Sequence, residues 1–359
     1  MVFGRAMLPL RGLQSEIPIM FSLKSKFFLP IQTRRAFSTL PKFLWEHEGS
    51  FDLNCVSNHL RENGFVVFSG DWVRKTPSYG IAKKFGLIQK NKSTNNDNVA
   101  IVSAKPIESD VVRGVYSAGE FFPHTDGPYL QGIEERQGII RGISPPKFIL
   151  LKCIDAAESG GETILVDGKK ALLEALNNYP QIIGELFDSN SKFFLGNGVM
   201  TSQSVFKLRS DGSIQFNYSN DSNFILTEKS KVLVDIFDNN CLEPSHEFKL
   251  NSGEVLLIDN YRILHGRNKF SGSRVLERVW IQDEETVSKK YVRSKPKSVT
   301  YYSLKDETSY ALEAHAHFGI VNDFNQKVKK TWETGIHLEQ CDMRRLVALL
   351  EKTSYDFKK

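Results

Sequence analysis

Phe121-Phe122-Pro123-His124-Thr125-Asp126 sets an imidazole and a carboxylate two residues apart. On an extended strand, residues i and i+2 point to the same face, so both side chains can reach one metal ion. A second histidine, His265, lies far downstream, shortly after the apolar run Val255-Leu256-Leu257-Ile258. Two imidazoles and one carboxylate on one face of a metal suit Fe(II) chemistry that needs the remaining positions open. The triplet alone is weak evidence. His124 also fits a hydrogen-bonded structural histidine, and Asp126 a turn residue before Gly127. The rest of the chain decides between these readings.

Outward from that stretch the pattern is one of short strands. Gly64-Phe65-Val66-Val67-Phe68-Ser69-Gly70 reads as a buried strand bounded by glycines, after a helix over 56–63. A helix over 76–85, a polar loop over 90–98 and a strand over 99–103 follow. Residues 131–141 are charged and show no strand pattern. Strands are expected at 147–153 and 164–166, a helix at 169–176, and helical spacing again over 177–187. Further strands fall at 192–194, 204–209, 213–218, 247–250, 255–258 and 274–282, with a helix at 229–237. Many short strands at close spacing indicate a sandwich or barrel rather than a doubly wound sheet.

The chain has 359 residues, 40% hydrophobic and 25% charged, enough for one large domain or two modest ones. A net charge of +5 does not call for a nucleic-acid partner. No apolar run is long enough for a membrane span. Cys55, Cys153, Cys241 and Cys341 are scattered, which argues against a zinc ribbon or disulfide framework. Residues 1–40 carry Arg5, Arg11, Lys24, Lys26, Arg34 and Arg35 against the single acid Glu16. That composition, with Arg34-Arg35-Ala36-Phe37-Ser38, reads as a mitochondrial transit peptide, and so the mitochondrial matrix is the expected location. A basic tail without an address is the alternative.

Four separated motifs stand in a distinctive order. His124-Thr125-Asp126 is followed by Ser144-Pro145-Pro146, then by Ser159-Gly160-Gly161-Glu162-Thr163. Last comes Asp259-Asn260-Tyr261-Arg262-Ile263-Leu264-His265-Gly266-Arg267, with Arg274 and Arg278 beyond it. Over roughly residues 50–282 the chain resembles the taurine/clavaminate-synthase branch of the Fe(II)/2-oxoglutarate-dependent dioxygenases (the TauD/TfdA superfamily). The resemblance implies a mainly β fold with flanking helices around a double-stranded β-helix, or jelly-roll, core. It implies His124, Asp126 and His265 as metal ligands. Thr163 and Arg274 would hold the far carboxylate of 2-oxoglutarate, a task that suits a bidentate guanidinium. Arg278 is a candidate contact to a substrate anion. The expected domains are a jelly-roll domain at 41–285 and a helical C-terminal extension at 286–359.

The implied reaction consumes O2 and 2-oxoglutarate, releases succinate and CO2, and hydroxylates a C–H bond of a small polar or zwitterionic metabolite. Ascorbate is the expected activator. A trimethyllysine- or butyrobetaine-type hydroxylase of carnitine synthesis is one alternative. Others are a catalytically silent jelly-roll binding protein and a macromolecule-modifying oxygenase. Phe121, Phe122 and Tyr129 fit either a substrate wall or the core. The insertion at 131–142 is either a lid or a surface loop. No Gly-x-Ser-x-Gly elbow accompanies Asp259 and His265, which argues against a hydrolase. Gly160-Gly161 lacks the Lys-Ser/Thr of a phosphate-binding loop. His315-Ala316-His317 sits in a helical pattern where i and i+2 diverge and is read as surface. Arg267 either meets an acidic surface group or helps orient the site.

Overall fold

The computed structural model describes residues 40–90, 94–104, 116–130, 132–136, 139–188, 192–196, 199–209, 213–219 and 224–282. Expectations for residues 1–39, for the C-terminal extension from 286, and for His315 and His317 lie outside these.

Among the described residues two sheets carry the core. The larger has seven strands. Its continuous part runs in the order Lys42–Leu44, Phe65–Ser69, Val255–Asp259, Phe148–Asp155 and Val275–Gln282. Leu87–Gln89 and Ala100–Ser103 both pair with the last of these, along its free edge. The smaller sheet has four strands, ordered His246–Phe248, Thr163–Asp167, Ile263–Arg267 and Phe121–His124.

The apolar runs of the larger sheet are continuous because both of its faces are buried. Side chains alternate across a strand. Phe65, Val67, Ile149, Leu151, Leu256, Ile258, Leu276 and Trp280 join Leu165 and Ile263 of the smaller sheet in one cluster. Their neighbours Val66, Phe68, Phe148, Leu150, Val255, Leu257, Val279 and Ile281 face the other way, onto Val56, Leu60, Val73 and Ile81 from the N-terminal helices. The helix Leu53–Asn63 starts at Asp52, whose carboxylate accepts from the N–H groups of Asn54 and Cys55. It ends at Gly64 in the left-handed conformation. A third cluster packs helices Gly168–Asn178 and Glu228–Asn240 against Val166 and Leu264 of the smaller sheet. Two facing sheets of short, mainly antiparallel strands with helices outside form the expected jelly roll.

Some local expectations change. The helix expected at 76–85 is only Ser78–Ala82. The segment expected to lack strands forms an antiparallel hairpin, Gly132–Arg136 with Ile139–Ile143. A two-stranded ribbon is held by backbone hydrogen bonds, so it forms without the apolar alternation that marks a sheet with one buried face. The strand Ile263–Arg267, which carries His265, was hidden for another reason: it is buried throughout, but His265, Gly266 and Arg267 break its apolar run.

Candidate active site

His124 is the last residue of the strand Phe121–His124 and pairs across the ladder with His265 on Ile263–Arg267. This pairing needs Gly266. A Cβ there would lie 2.6 Å from the Phe121 carbonyl oxygen and 2.8 Å from the Pro123 nitrogen. The strand ends at His124 and the chain bends at Asp126, whose side chain returns to the same side. Thr125, between them, turns away: its N–H donates to the Tyr218 carbonyl at 2.8 Å, and its hydroxyl accepts from the Tyr218 N–H at 2.9 Å. Asn260 clamps the Asp126 backbone from both ends. Its Oδ1 accepts from the Asp126 N–H at 2.8 Å, and its Nδ2 donates to the Asp126 carbonyl at 3.0 Å.

The structure thus brings together the three side chains that the sequence separates by up to 141 positions (124 to 265). All three are buried, and each offers one ligand atom within 4.8 Å of the others. His124 Nε2 lies 3.5 Å from Asp126 Oδ1. Nδ1 of His124 sits 3.0 Å from the Phe122 carbonyl, which assigns the proton to Nδ1 and leaves the Nε2 lone pair facing Asp126. His265 Nδ1 is buried without a hydrogen-bond partner among the described residues.

Electrostatics set the charge states. Burial pushes the Asp126 carboxyl up, but the Arg278 guanidinium and the neighbouring imidazoles outweigh it and hold the group well below its ordinary range. Burial pushes His265 down to about 3, helped by His124 and Arg278 and opposed by Asp126. At neutral pH the cluster is an ionised carboxylate beside a neutral His265. Such a donor set fits a divalent iron with open positions.

Next to the cluster lies a small cavity, open to solvent, lined by His265, Thr163, Arg267, Arg274, Arg278 and apolar side chains that include Val102, Phe121 and Leu276. Thr163 is buried and pairs with Arg267 across the smaller sheet. Arg274 lies 5.8 Å from the Phe270 ring centre, and burial lowers the affinity of its guanidinium for its proton. Among the described residues no carboxylate pairs with it. Arg278 bridges both Asp126 oxygens from Nη1, at 3.2 and 3.1 Å. Its Nε is buried and has no partner among the described residues. Arg267 donates to the backbone carbonyls of Ser117 and Gly119, tying down the segment before Phe121.

Two neighbours escaped sequence reasoning. Trp280 donates from Nε1 to Asp126 Oδ2 at 2.7 Å, and Asn260 holds the Asp126 backbone as described. Only the two-residue spacing of Trp280 from Arg278 hinted at a shared face. Asp259 shapes the turn before His265: its Oδ1 accepts from the Tyr261 N–H at 3.0 Å, and Lys147 holds it at 2.8 Å. His246 packs edge-on to Phe65 in the core.

Comparison with known proteins places these features. The chain is 26% identical over 181 residues to human gamma-butyrobetaine dioxygenase, a match covering 45% of this chain and 43% of that protein. It therefore spans less than half the length of the curated relatives it matches. The PvcB protein from Pseudomonas aeruginosa superposes with a TM-score of 0.50 at 18% identity, over 67% of this chain and 84% of that one, and shares the fold. An asparagine oxygenase solved with Fe(II), 3-hydroxyasparagine and succinate superposes at a TM-score of 0.48 and 15% identity, over 65% and 81% of the two chains. The family model for the taurine catabolism dioxygenase TauD, TfdA family matches residues 46–280, a span that holds the whole smaller sheet, most of the larger one and every residue of the cluster. The chain belongs to the TauD/TfdA dioxygenase family.

Proposed function

We propose that the protein is an Fe(II)- and 2-oxoglutarate-dependent dioxygenase that hydroxylates a C–H bond of a small polar or zwitterionic metabolite. The observation that carries this reading is the buried convergence of His124, Asp126 and His265 beside an arginine-lined cavity. The iron, with 2-oxoglutarate and O2, supplies the oxidising chemistry, and 2-oxoglutarate leaves as succinate and CO2. His124, Asp126 and His265 are the metal ligands. Arg274 and Thr163 bind the far carboxylate of 2-oxoglutarate; a half-buried guanidinium without a carboxylate partner among the described residues supports this. Arg278 keeps one edge on Asp126 and offers its Nε edge to an anionic group of the substrate. The apolar wall from Val102, Phe121 and Leu276 limits water at the reacting centre. Ascorbate would keep the iron in its ferrous state.

The similarity to gamma-butyrobetaine dioxygenase favours a quaternary-ammonium acid as one member of the substrate class. The basic, acid-poor residues 1–40 support a mitochondrial address, with a catalytic domain at 41–285 and a separate extension at 286–359. No helix among the described residues is long and apolar enough to cross a membrane. A succinate-release screen across mitochondrial metabolites tests the proposal. Fe(II)-dependent release stimulated by a small metabolite is the expected result. No release with any metabolite would favour a silent binding protein, and stimulation only by a polypeptide or RNA would remove the small-molecule reading.

A further inference from the structure

Asp126 is the single carboxylate of the cluster, and its two oxygens are not equivalent. A carboxylate offers about four lone-pair positions. Oδ2 accepts from the Trp280 indole N–H at 2.7 Å and from Arg278 Nη1 at 3.1 Å. Oδ1 accepts from the same Arg278 nitrogen at 3.2 Å, and its other side faces His124 Nε2 at 3.5 Å. One position therefore stays available, on Oδ1, and it points at the other donors of the cluster.

We propose that Trp280 is a positioning residue that restricts Asp126 to one metal-binding oxygen, Oδ1, so that a bound metal keeps three open positions rather than two. The inference rests on the metal-site reading above. The indole suits this role on three counts. It is a donor only, so it cannot ligate the metal or switch to accepting. It does not titrate. It is also wedged in place. Trp280 is buried in the inter-sheet cluster, and a Cβ added at Gly127 would sit 3.6 Å from its Cη2. Gly127 follows Asp126 directly, with a φ of +70°. The turn that carries the ligand and the ring that pins its oxygen therefore pack against each other. Arg278 adds charge to the same oxygens, but it spans both and does not distinguish them. The choice of oxygen belongs to Trp280.

The test uses the full-length chain with Mn(II) or Co(II) as the probe. A crystal structure of the wild-type protein with Mn(II) should show Oδ1 alone within bonding distance and the Trp280 hydrogen bond intact. Trp280→Phe removes the donor and keeps an aromatic ring in the cluster. It should bind Co(II) with an affinity changed by about tenfold, the lower end of what losing an outer partner of a ligand does. Its Co(II) absorption bands should shift as the second oxygen enters and one water leaves. Two oxygens bonded in the wild type would overturn the inference whatever the variant does, and so would identical Co(II) spectra and affinity in a folded Trp280→Phe protein. If neither metal binds the wild-type chain, the metal-site reading itself fails, which is a separate outcome.

Discussion

His265 and His124 are register partners on adjacent antiparallel strands, and their ring centres lie 4.5 Å apart. The ladder that pairs them is the device that joins the two distant motifs. It depends on close backbone approach at Gly266, next to His265. Gly266→Ala would force a Cβ against backbone atoms that cannot rotate away. Overpacking of this kind costs about 1–3 kcal/mol. The expected outcome is a lower urea midpoint together with weaker Mn(II) binding. A variant with wild-type stability and wild-type metal affinity would show that the strands can separate without harm.

Asp126→Ala should abolish 2-oxoglutarate turnover and weaken metal binding by more than the about 100-fold that outer-shell losses reach. It also leaves the Arg278 guanidinium buried beside the apolar inter-sheet cluster without its partner. Removing one member of a buried pair destabilises by about 3–5 kcal/mol. The measurement is a pair of assays, succinate release and a thermal melt without metal. Retained Fe(II)-dependent turnover would remove Asp126 from the ligand set.

Arg274→Met should raise the KM for 2-oxoglutarate by about 10- to 100-fold, the loss of a hydrogen bond to a charged group worth about 1.5–3 kcal/mol. Thr163→Val should act in the same direction by a smaller factor, since a neutral hydroxyl contributes about 1 kcal/mol. Steady-state kinetics with 2-oxoglutarate varied separates these effects from changes in kcat. An unchanged KM in Arg274→Met would move the carboxylate site elsewhere, with Arg267 as the next candidate.

Acid should weaken the metal-free fold through His265. Its folded-state value, pushed down to about 3 chiefly by burial, lies below its ordinary 6.5. Between those values the unfolded chain binds the extra proton, so stability rises with pH across that window. The contribution is full above 6.5 and is lost as pH falls toward 3, by at most about 1.4 kcal/mol per pH unit. Asp126, held below its ordinary value, adds a loss of the same sign at still lower pH. Urea midpoints of wild type and His265→Gln, measured near neutrality and near pH ~5, check this. Parallel pH slopes for the two proteins would show that His265 is not the group responsible.

Much of the candidate site was legible because its residues stand in local motifs. His124-Thr125-Asp126 carries its own two-residue period, and Thr163, Arg274 and Arg278 each stand in a short motif. The strand runs at Phe65–Ser69 and Val255–Asp259 were legible because burial on both faces leaves an unbroken apolar signature. The hairpin over Gly132–Arg136 and Ile139–Ile143 was not, because backbone pairing imposes no side-chain pattern there. Trp280 lies in the strand expected at 274–282 and carries no local sign of its role. An indole in the core and an indole on a ligand oxygen look alike until the partner across the sheets is known.

The sequence by itself determined which chemical groups are present and in what order, since ligand identity and strand period are properties of neighbouring residues. It therefore determined the class of metal the protein suits and the kind of fold that would carry it. The tertiary structure alone decided that Thr125 turns to Tyr218, that Arg278 and Trp280 both converge on Asp126, and that the arginines share one cavity with His265. The Thr125, Arg278 and Trp280 contacts join residues more than ninety positions apart, and only the folded chain brings them within reach.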